Sequence, residues 1–222
     1  MAAMAKPHPR PAAARRTDGS PKPKQRRMRA PERRLQLIDV ARSVFARSGY
    51  FGATMDDVAH AAGITKPILY QHFASKKALY LALIDEAAFE ITKAVWDGTE
   101  GKPDALSMAA GGMRAYFDYV KYHPDSFRIL FSDAQADQEI MERIDSIRSV
   151  IAERVAQLIS NSIFADWPDE QQIQIVATGI VGLAEMVGRD WIVADKASPE
   201  EAARALGTLV ASGYVGRNVS AK

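Results

Sequence analysis

Beyond Pro31 the apolar positions recur at three- and four-residue steps, the period of helices that each bury one face. Leu37, Ile38, Ala41, Val44 and Phe45 predict a first helix over 31–48, ended by Gly49, a residue tolerant of positive φ. Thr54 is placed to cap a short second helix, with Asp57 three positions on to complete a capping box. Asp56 and Asp57 fall in its first turn, where the helix dipole favours acids, and Met55, Val58, Ala59 and Ala62 form its inner face. Gly63 breaks that helix. Thr65 is the expected cap of a third short helix, with Pro67 in the first turn and an end near Phe73. Ser75 starts a long fourth helix over 76–97 on Leu79, Leu83, Ile84, Ala87 and Ile91, closed by Asp97-Gly98.

The same period continues after Pro103. Ala109, Met113, Tyr116, Phe117 and Val120 predict a fifth helix over 104–122, and His123-Pro124 breaks it to begin a short sixth through Phe131. Ile140, Ile144, Ile147, Ile151, Val155 and Leu158 set a seventh over 137–164, and Trp167-Pro168 marks the next break. An eighth covers 169–194, and Ser198-Pro199-Glu200-Glu201 is a strong start signal for a ninth over 199–217. No strand pattern and no internal repeat interrupts this, so the expected fold is all-α with nine helices.

Residues 1–30 stand apart. They are rich in Pro, Ala, Lys and Arg without apolar periodicity, and are expected to form a disordered basic arm. Met28 within it is a second candidate start. The net charge of +2 over 222 residues hides a division: residues 1–34 carry +9 and residues 35–222 carry −7. A basic end on an acidic body suits a polyanionic partner for that end. The chain has no cysteine, which rules out disulfides, thiolate zinc sites and cysteine nucleophiles. His8, His60, His72 and His123 lack metal-ligand spacing, and no nucleophile elbow, phosphate loop or paired carboxylate motif is present, so neither an enzyme nor a cofactor is expected. The apolar share of 47% supports a sizeable core. No apolar run reaches membrane-spanning length and MAAMAKPHPR is no signal peptide, so the expected location is the cytoplasm, without membrane contact.

Residues 54–73 have the parts of a helix-turn-helix: a bracing helix, a glycine turn and a short helix for the major groove of double-stranded DNA. Thr65, Lys66, Pro67, Ile68, Tyr70, Gln71 and His72 are the side chains expected outside, with Leu69 and Phe73 inside. Lys66 and Gln71 suit base edges, and Pro67 or Ile68 a thymine methyl. Tyr70, His72 and Lys76 or Lys77 suit phosphates, as do the N–H groups of the helix starts that Thr54 and Thr65 cap.

This stretch resembles the TetR family of bacterial transcription regulators, through Phe45, Gly49, Thr54, Ala59, Ala62-Gly63-Ile64, Leu69-Tyr70, His72-Phe73 and Ser75-Lys76. The resemblance implies an all-helical homodimer with a DNA-binding domain at 31–77, a connecting helix within 78–102 and a ligand-binding and dimerisation domain over 103–222. It implies phosphate anchoring by Tyr70, His72 and Lys76, and groove reading by Thr65, Lys66, Pro67 and Gln71. The arm before residue 31 departs from the compact family pattern. The regulator so implied, expected to be a repressor, binds a palindromic operator and is released by a hydrophobic effector.

The second half offers candidates for that effector's pocket. Met113, Tyr116, Phe117, Phe127 and Phe131, with Ile147 and Trp191, are enough aromatic and apolar side chains to line one, or to pack as plain core. Arg128 and Asp190 either meet a ligand's polar group or pair with other side chains, and pairing is the expectation. The stretch YFDYVKYHPDSFRILFSDAQAD, with GRDWIVADK later, is similar to actinobacterial fatty-acid regulators, which implies a lipid-like ligand such as an acyl-CoA. Multidrug-type efflux regulators share such pocket compositions, and control by a protein partner is a further alternative. Small residues in the last two helices, among them Gly179, Gly182 and Gly213, allow close backbone approach; with Met186, Leu206 and Leu209 they are the candidate dimer interface, or else close packing within one chain.

Overall fold

The computed structural model describes residues 30–130, 136–161 and 169–215. Within them the chain forms α1 (Ala30–Gly52), α2 (Met55–Ala61), α3 (Lys66–His72), α4 (Lys76–Thr99), α5 (Ala105–Tyr122), α6 (Pro124–Leu130), α7 (Gln138–Asn161), α8 (Glu170–Val187) and α9 (Pro199–Val215), with no strand among the described residues. The basic arm, apart from Ala30 in the first turn of α1, and Phe131 lie outside the described residues.

The local signals of the first half act as expected. Gly49 takes φ 68° and breaks α1 three residues before its end. The Thr54 hydroxyl accepts from the Asp57 N–H at 3.2 Å while Asp57 accepts from the Thr54 N–H at 2.9 Å, a complete capping box. Gly63 turns the chain at φ 63°. The Ser75 hydroxyl caps α4 by accepting from Ala78 N–H. Thr65 differs. It holds the cap position, but its hydroxyl caps nothing. Pro67 has no N–H to offer, and the Ile68 N–H donates to the Thr65 carbonyl instead.

Two helix ends move. α4 runs through Asp97-Gly98 to Thr99, and the turn falls at Gly101, with φ 68°. Gly98 is no helix stop, because α5 crosses it: a Cβ on Gly111 would lie 2.2 Å from the Gly98 carbonyl oxygen. The cost of glycine within a helix is offset by that close approach. α8 ends as an α-helix at Val187 and continues as one π-helical turn, Gly188–Ile192. A Cβ on Gly188 would stand 3.1 Å from Phe127 Cζ and 3.3 Å from Tyr116 Oη, so the turn brings the backbone hard against α5 and α6.

One core spans the junction of the two halves. Leu37, Ile38, Val44, Phe45, Val58, Leu69, Leu79, Leu83 and Ile84 pack with Ile129 and Leu130 of α6 and with Ile140 and Ile144 of α7. A second joins Met113, Phe117, Val120, Phe127, Ala184, Ile192, Ala202 and Ala203, and a third Ile159, Ile173 and Ala177. Polar ties reinforce the junction. The Tyr80 hydroxyl donates to the Ile129 carbonyl at 2.9 Å, and Glu90 accepts from Arg42 at 3.0 Å and from the Tyr119 hydroxyl at 2.7 Å. Burial, then the hydrogen bond to Glu90, hold the Tyr119 pKa above its usual value, so it remains a donor.

Candidate nucleic-acid interface and effector cavity

α3 presents a small polar face. Leu69 is fully buried and Phe73 nearly so, while Thr65, Lys66, Pro67, Ile68, Tyr70 and Gln71 are exposed and His72 is half-buried. The inward pair fixes the helix on the first core and leaves its other side to solvent. The Lys66 ammonium donates to Asp56 at 2.7 Å, and that hydrogen bond raises its pKa. An exposed pair of this kind contributes little to stability, so phosphate or a base edge can take the lysine over.

Lys76 departs from the phosphate-anchor expectation. Its ammonium donates to the carbonyls of Tyr50 (2.9 Å) and Ala53 (3.1 Å) and lies 4.7 Å from the centre of the Tyr50 ring. The negative end of the α1 dipole attracts a cation, and Lys76 clamps α4 to that end. Its neighbour Lys77 reaches Asp137 and Glu139, both at 3.0 Å, which ties the start of α4 to the start of α7.

A cavity of about 540 Å³ opens between α4, α5, α7 and α8. Met113, Tyr116, Phe127 and Ile147 line it as the sequence suggested. Phe117 does not: it is fully buried in the second core. Neither does Trp191, which the π-helical turn leaves about half exposed on the surface. The walls the sequence reading missed come from α4 (Phe89, Lys93, Trp96), α7 (Ile144, Arg148, Ile151, Arg154) and α8 (Ile180, Val181, Glu185). Phe89, Lys93 and Trp96 sit one helical face away from the apolar stripe that made α4 legible, and that second face was the available signal.

Lys93, Arg148, Arg154 and Glu185 are the charged residues of the lining, and Arg148 is the most enclosed of the three cations. Its guanidinium meets Glu185 at 3.0 and 3.1 Å and Asp145 at 2.8 Å. Burial opposes its charge, but the two carboxylates outweigh burial and its pKa rises. The Tyr116 ring faces the cavity while its hydroxyl is enclosed without a hydrogen-bond partner among the described residues, and burial pushes its pKa up. Arg128 and Asp190 lie elsewhere: Arg128 is exposed with Asp125 3.6 Å away, and Asp190 accepts from Arg189 at 2.8 Å. Both take the pairing role.

Gly179 and Gly182 have open space where a Cβ would stand, and Met186 and Leu209 are more than half exposed. Ile175 and Leu183 extend the same apolar exposure along α8. Leu206 packs partly against the second core, and Gly207 approaches Ala110 of α5, so α9 spends part of its small-residue face within the chain. The backbone of Gly213 lies in α9; its surroundings lie outside the described residues. Among the described residues no helix is long and apolar enough to cross a membrane, and no cluster of His, Asp and Glu could hold a metal ion.

Helical throughout the described residues apart from its turns, with an exposed α3 on a helix-turn-helix joined by a long helix to a hollow helical half, the chain has the architecture of a DNA-binding transcription regulator. Residues 37–83 match the family of bacterial regulatory proteins of the tetR type, and residues 107–213 match a tetracyclin repressor-like C-terminal domain. The chain belongs to the TetR family. It is 29% identical over 173 residues to the HTH-type transcriptional activator FasR of Mycolicibacterium smegmatis, which covers 78% of each protein. Its fold is shared with a TetR-like regulator from Rhodococcus sp. RHA1 (TM-score 0.70, 24% identity, 88% of this chain and 100% of that one). It is shared also with FadR of Bacillus subtilis in complex with stearoyl-CoA (TM-score 0.69, 18% identity, 81% and 98%).

Proposed function

We propose that this protein is a cytoplasmic, effector-responsive regulator that binds a palindromic operator as a homodimer and leaves it when a lipid-like acyl ligand fills the cavity. The observation that carries this reading is the position of α4. Lys76 and Leu79 at its start are tied to the helix-turn-helix and its core, while Phe89 and Trp96 further along line an apolar cavity of about 540 Å³. That volume suits a small hydrophobic molecule. Acyl ligands are favoured by the complex that the FadR neighbour forms with stearoyl-CoA.

The working division is a DNA-binding domain over 31–77, a connecting helix within 78–102 and an effector and dimerisation domain over 103–222. Thr54, Thr65, Lys66, Pro67, Tyr70, Gln71 and His72 form the DNA face. Pairing through the exposed strip of Gly179, Gly182, Met186 and Leu209 would set two α3 helices about one turn of DNA apart, roughly 34–36 Å. An effector that prefers another α4 angle changes that spacing and lowers operator affinity; equal affinity for both states shifts nothing. Release yields repression in the simplest wiring. The activator role in the name of FasR supports a second wiring, in which the bound, effector-free protein activates.

The test is operator affinity measured with and without a medium-chain acyl-CoA. The expected result is a drop of about tenfold or more, the size of ordinary allosteric coupling. An acyl ligand that binds the cavity while operator affinity stays constant overturns the mechanism.

A further inference from the structure

The cavity has two different ends, and the difference assigns a direction to its ligand. At one end stands Arg148, already held by Glu185 and by Asp145 at 2.8 Å. Glu185 within the lining and the exposed Asp145 outside it already engage that guanidinium, so it has no surplus positive charge to offer an anionic group placed there. Six residues on, about 9 Å along the axis of α7, stands Arg154. Arg154 is exposed, lies 5.6 Å from the centre of the Trp96 ring, and among the described residues is paired with no carboxylate. Lys93 lies on the same cavity wall, and its partner is Asp97, one turn along on the exposed face of the same helix. Such a pair is readily exchanged. The exposed part of the lining is Phe89, Lys93 and Trp96 of α4 with Arg154 of α7, so the opening runs between these two helices.

We infer that this opening is the headgroup site of an amphiphilic effector, with Arg154 as the anion contact, Trp96 and Phe89 as an aromatic collar, and the acyl tail directed inward past Arg148. The assignment rests on the effector reading above and adds its direction and charge. A guanidinium held against an aromatic face keeps its outer N–H groups free for bidentate contact with a carboxylate or phosphate. Lys93 adds positive charge without fixed geometry.

The experiment titrates the full-length protein and its R154Q variant with three probes: decanoyl-CoA, decanoate, and the uncharged thioester S-decanoyl-N-acetylcysteamine. Arg154 is exposed and outside every core, so R154Q should fold, which circular dichroism checks. Wild type should bind an anionic probe more tightly than the neutral thioester. R154Q should lose about five- to tenfold in affinity for that anionic probe and flatten its salt dependence, with the neutral probe unchanged. A loss confined to decanoyl-CoA assigns the contact to nucleotide phosphates, and one confined to decanoate assigns it to a carboxylate. An equal loss for the neutral thioester, no loss for either anion, or an anion preference that vanishes in R148Q and survives in R154Q overturns the assignment while leaving an acyl effector standing. Binding of none of the three probes removes the acyl reading and this inference together.

Discussion

In the helix-turn-helix the inward side chains are well packed: Val58 and Leu69 have no exposure and Ala62 and Ile64 are partly buried against the same core, while the Thr54–Asp57 pair closes the start of α2 and Ser75 that of α4. Between α4, α5, α7 and α8 the same chain leaves about 540 Å³ unfilled. The short helices of the filled unit share one core, which leaves them little room to shift independently. The second half has two packed cores of its own beside the void, and side chains lining a void lack partner atoms across it, which lowers the cost of shifting the helices that bear them. α4 belongs to both. Its Leu79, Leu83 and Ile84 lie in the sealed core and its Phe89 and Trp96 face the void. A well-packed reader and a hollow sensor joined by one helix is the arrangement a ligand can work on.

The comparison breaks first at its most tightly packed point. Leu69→Ala should cost about 2–5 kcal/mol, as for other fully buried leucines, and abolish operator binding. Phe89→Ala, at a side chain 65% exposed, should leave the unfolding midpoint almost unchanged and alter only ligand affinity. Equal destabilisation by the two, read from urea denaturation, would refute the contrast between filled and hollow halves.

Glycine substitutions probe the seams next. Gly111→Ala forces a Cβ within 2.2 Å of the Gly98 carbonyl and should destabilise the protein by about 1–3 kcal/mol. Gly182→Ala meets open space in one chain and should stabilise the isolated helix by up to about 1 kcal/mol. If the α8 strip pairs closely with a second copy, the same change weakens the dimer, which analytical ultracentrifugation reads directly. A dimer unaffected by Gly182→Ala places the interface elsewhere.

Smallest are the caps. Thr54→Ala should cost about 1 kcal/mol. The hydrogen bonds from Thr54 hold the Asp57 pKa below its usual value. A lowered carboxylate contributes its stability above the unfolded pKa and loses it as pH falls through the folded one. The cap should therefore persist to below about pH 4, near the reference pKa of aspartate, and fail on further acidification. A carboxyl carbon titration by NMR that places Asp57 at or above the reference value would remove this account.

The local features were legible because neighbours in sequence decide them. Gly49, the Thr54 box, Gly63, Ser75 and the inward Leu69 and Phe73 each depend on residues within a turn or two. Thr65 fails as a cap for a local reason, Pro67; elsewhere the expectations give way where a distant segment intervenes. Gly98 read as a helix stop and is a crossing point, because α5 lies against it. The expectation for Lys76 is a phosphate contact, and its ammonium is here engaged by the carbonyls of Tyr50 and Ala53, 26 and 23 residues away, a contact no local pattern announces. Phe117 and Trp191 share the composition of a pocket wall, but the rotation of α5 and the π-helical turn after α8 send one to the core and the other to solvent.

The sequence by itself determined the helices, their caps, the polar face of α3 and the family, since period, capping and turn chemistry are short-range. Tertiary structure alone decided which apolar side chains fill space and which surround it. A cavity is the volume that packing leaves between helices distant in the chain, and its charged partners, Arg148 with Glu185 and Arg154 over Trp96, lie 37 and 58 residues apart. Periodicity marks a helix as having a buried face; only the relative placement of four helices decides whether that face meets another side chain or an empty space.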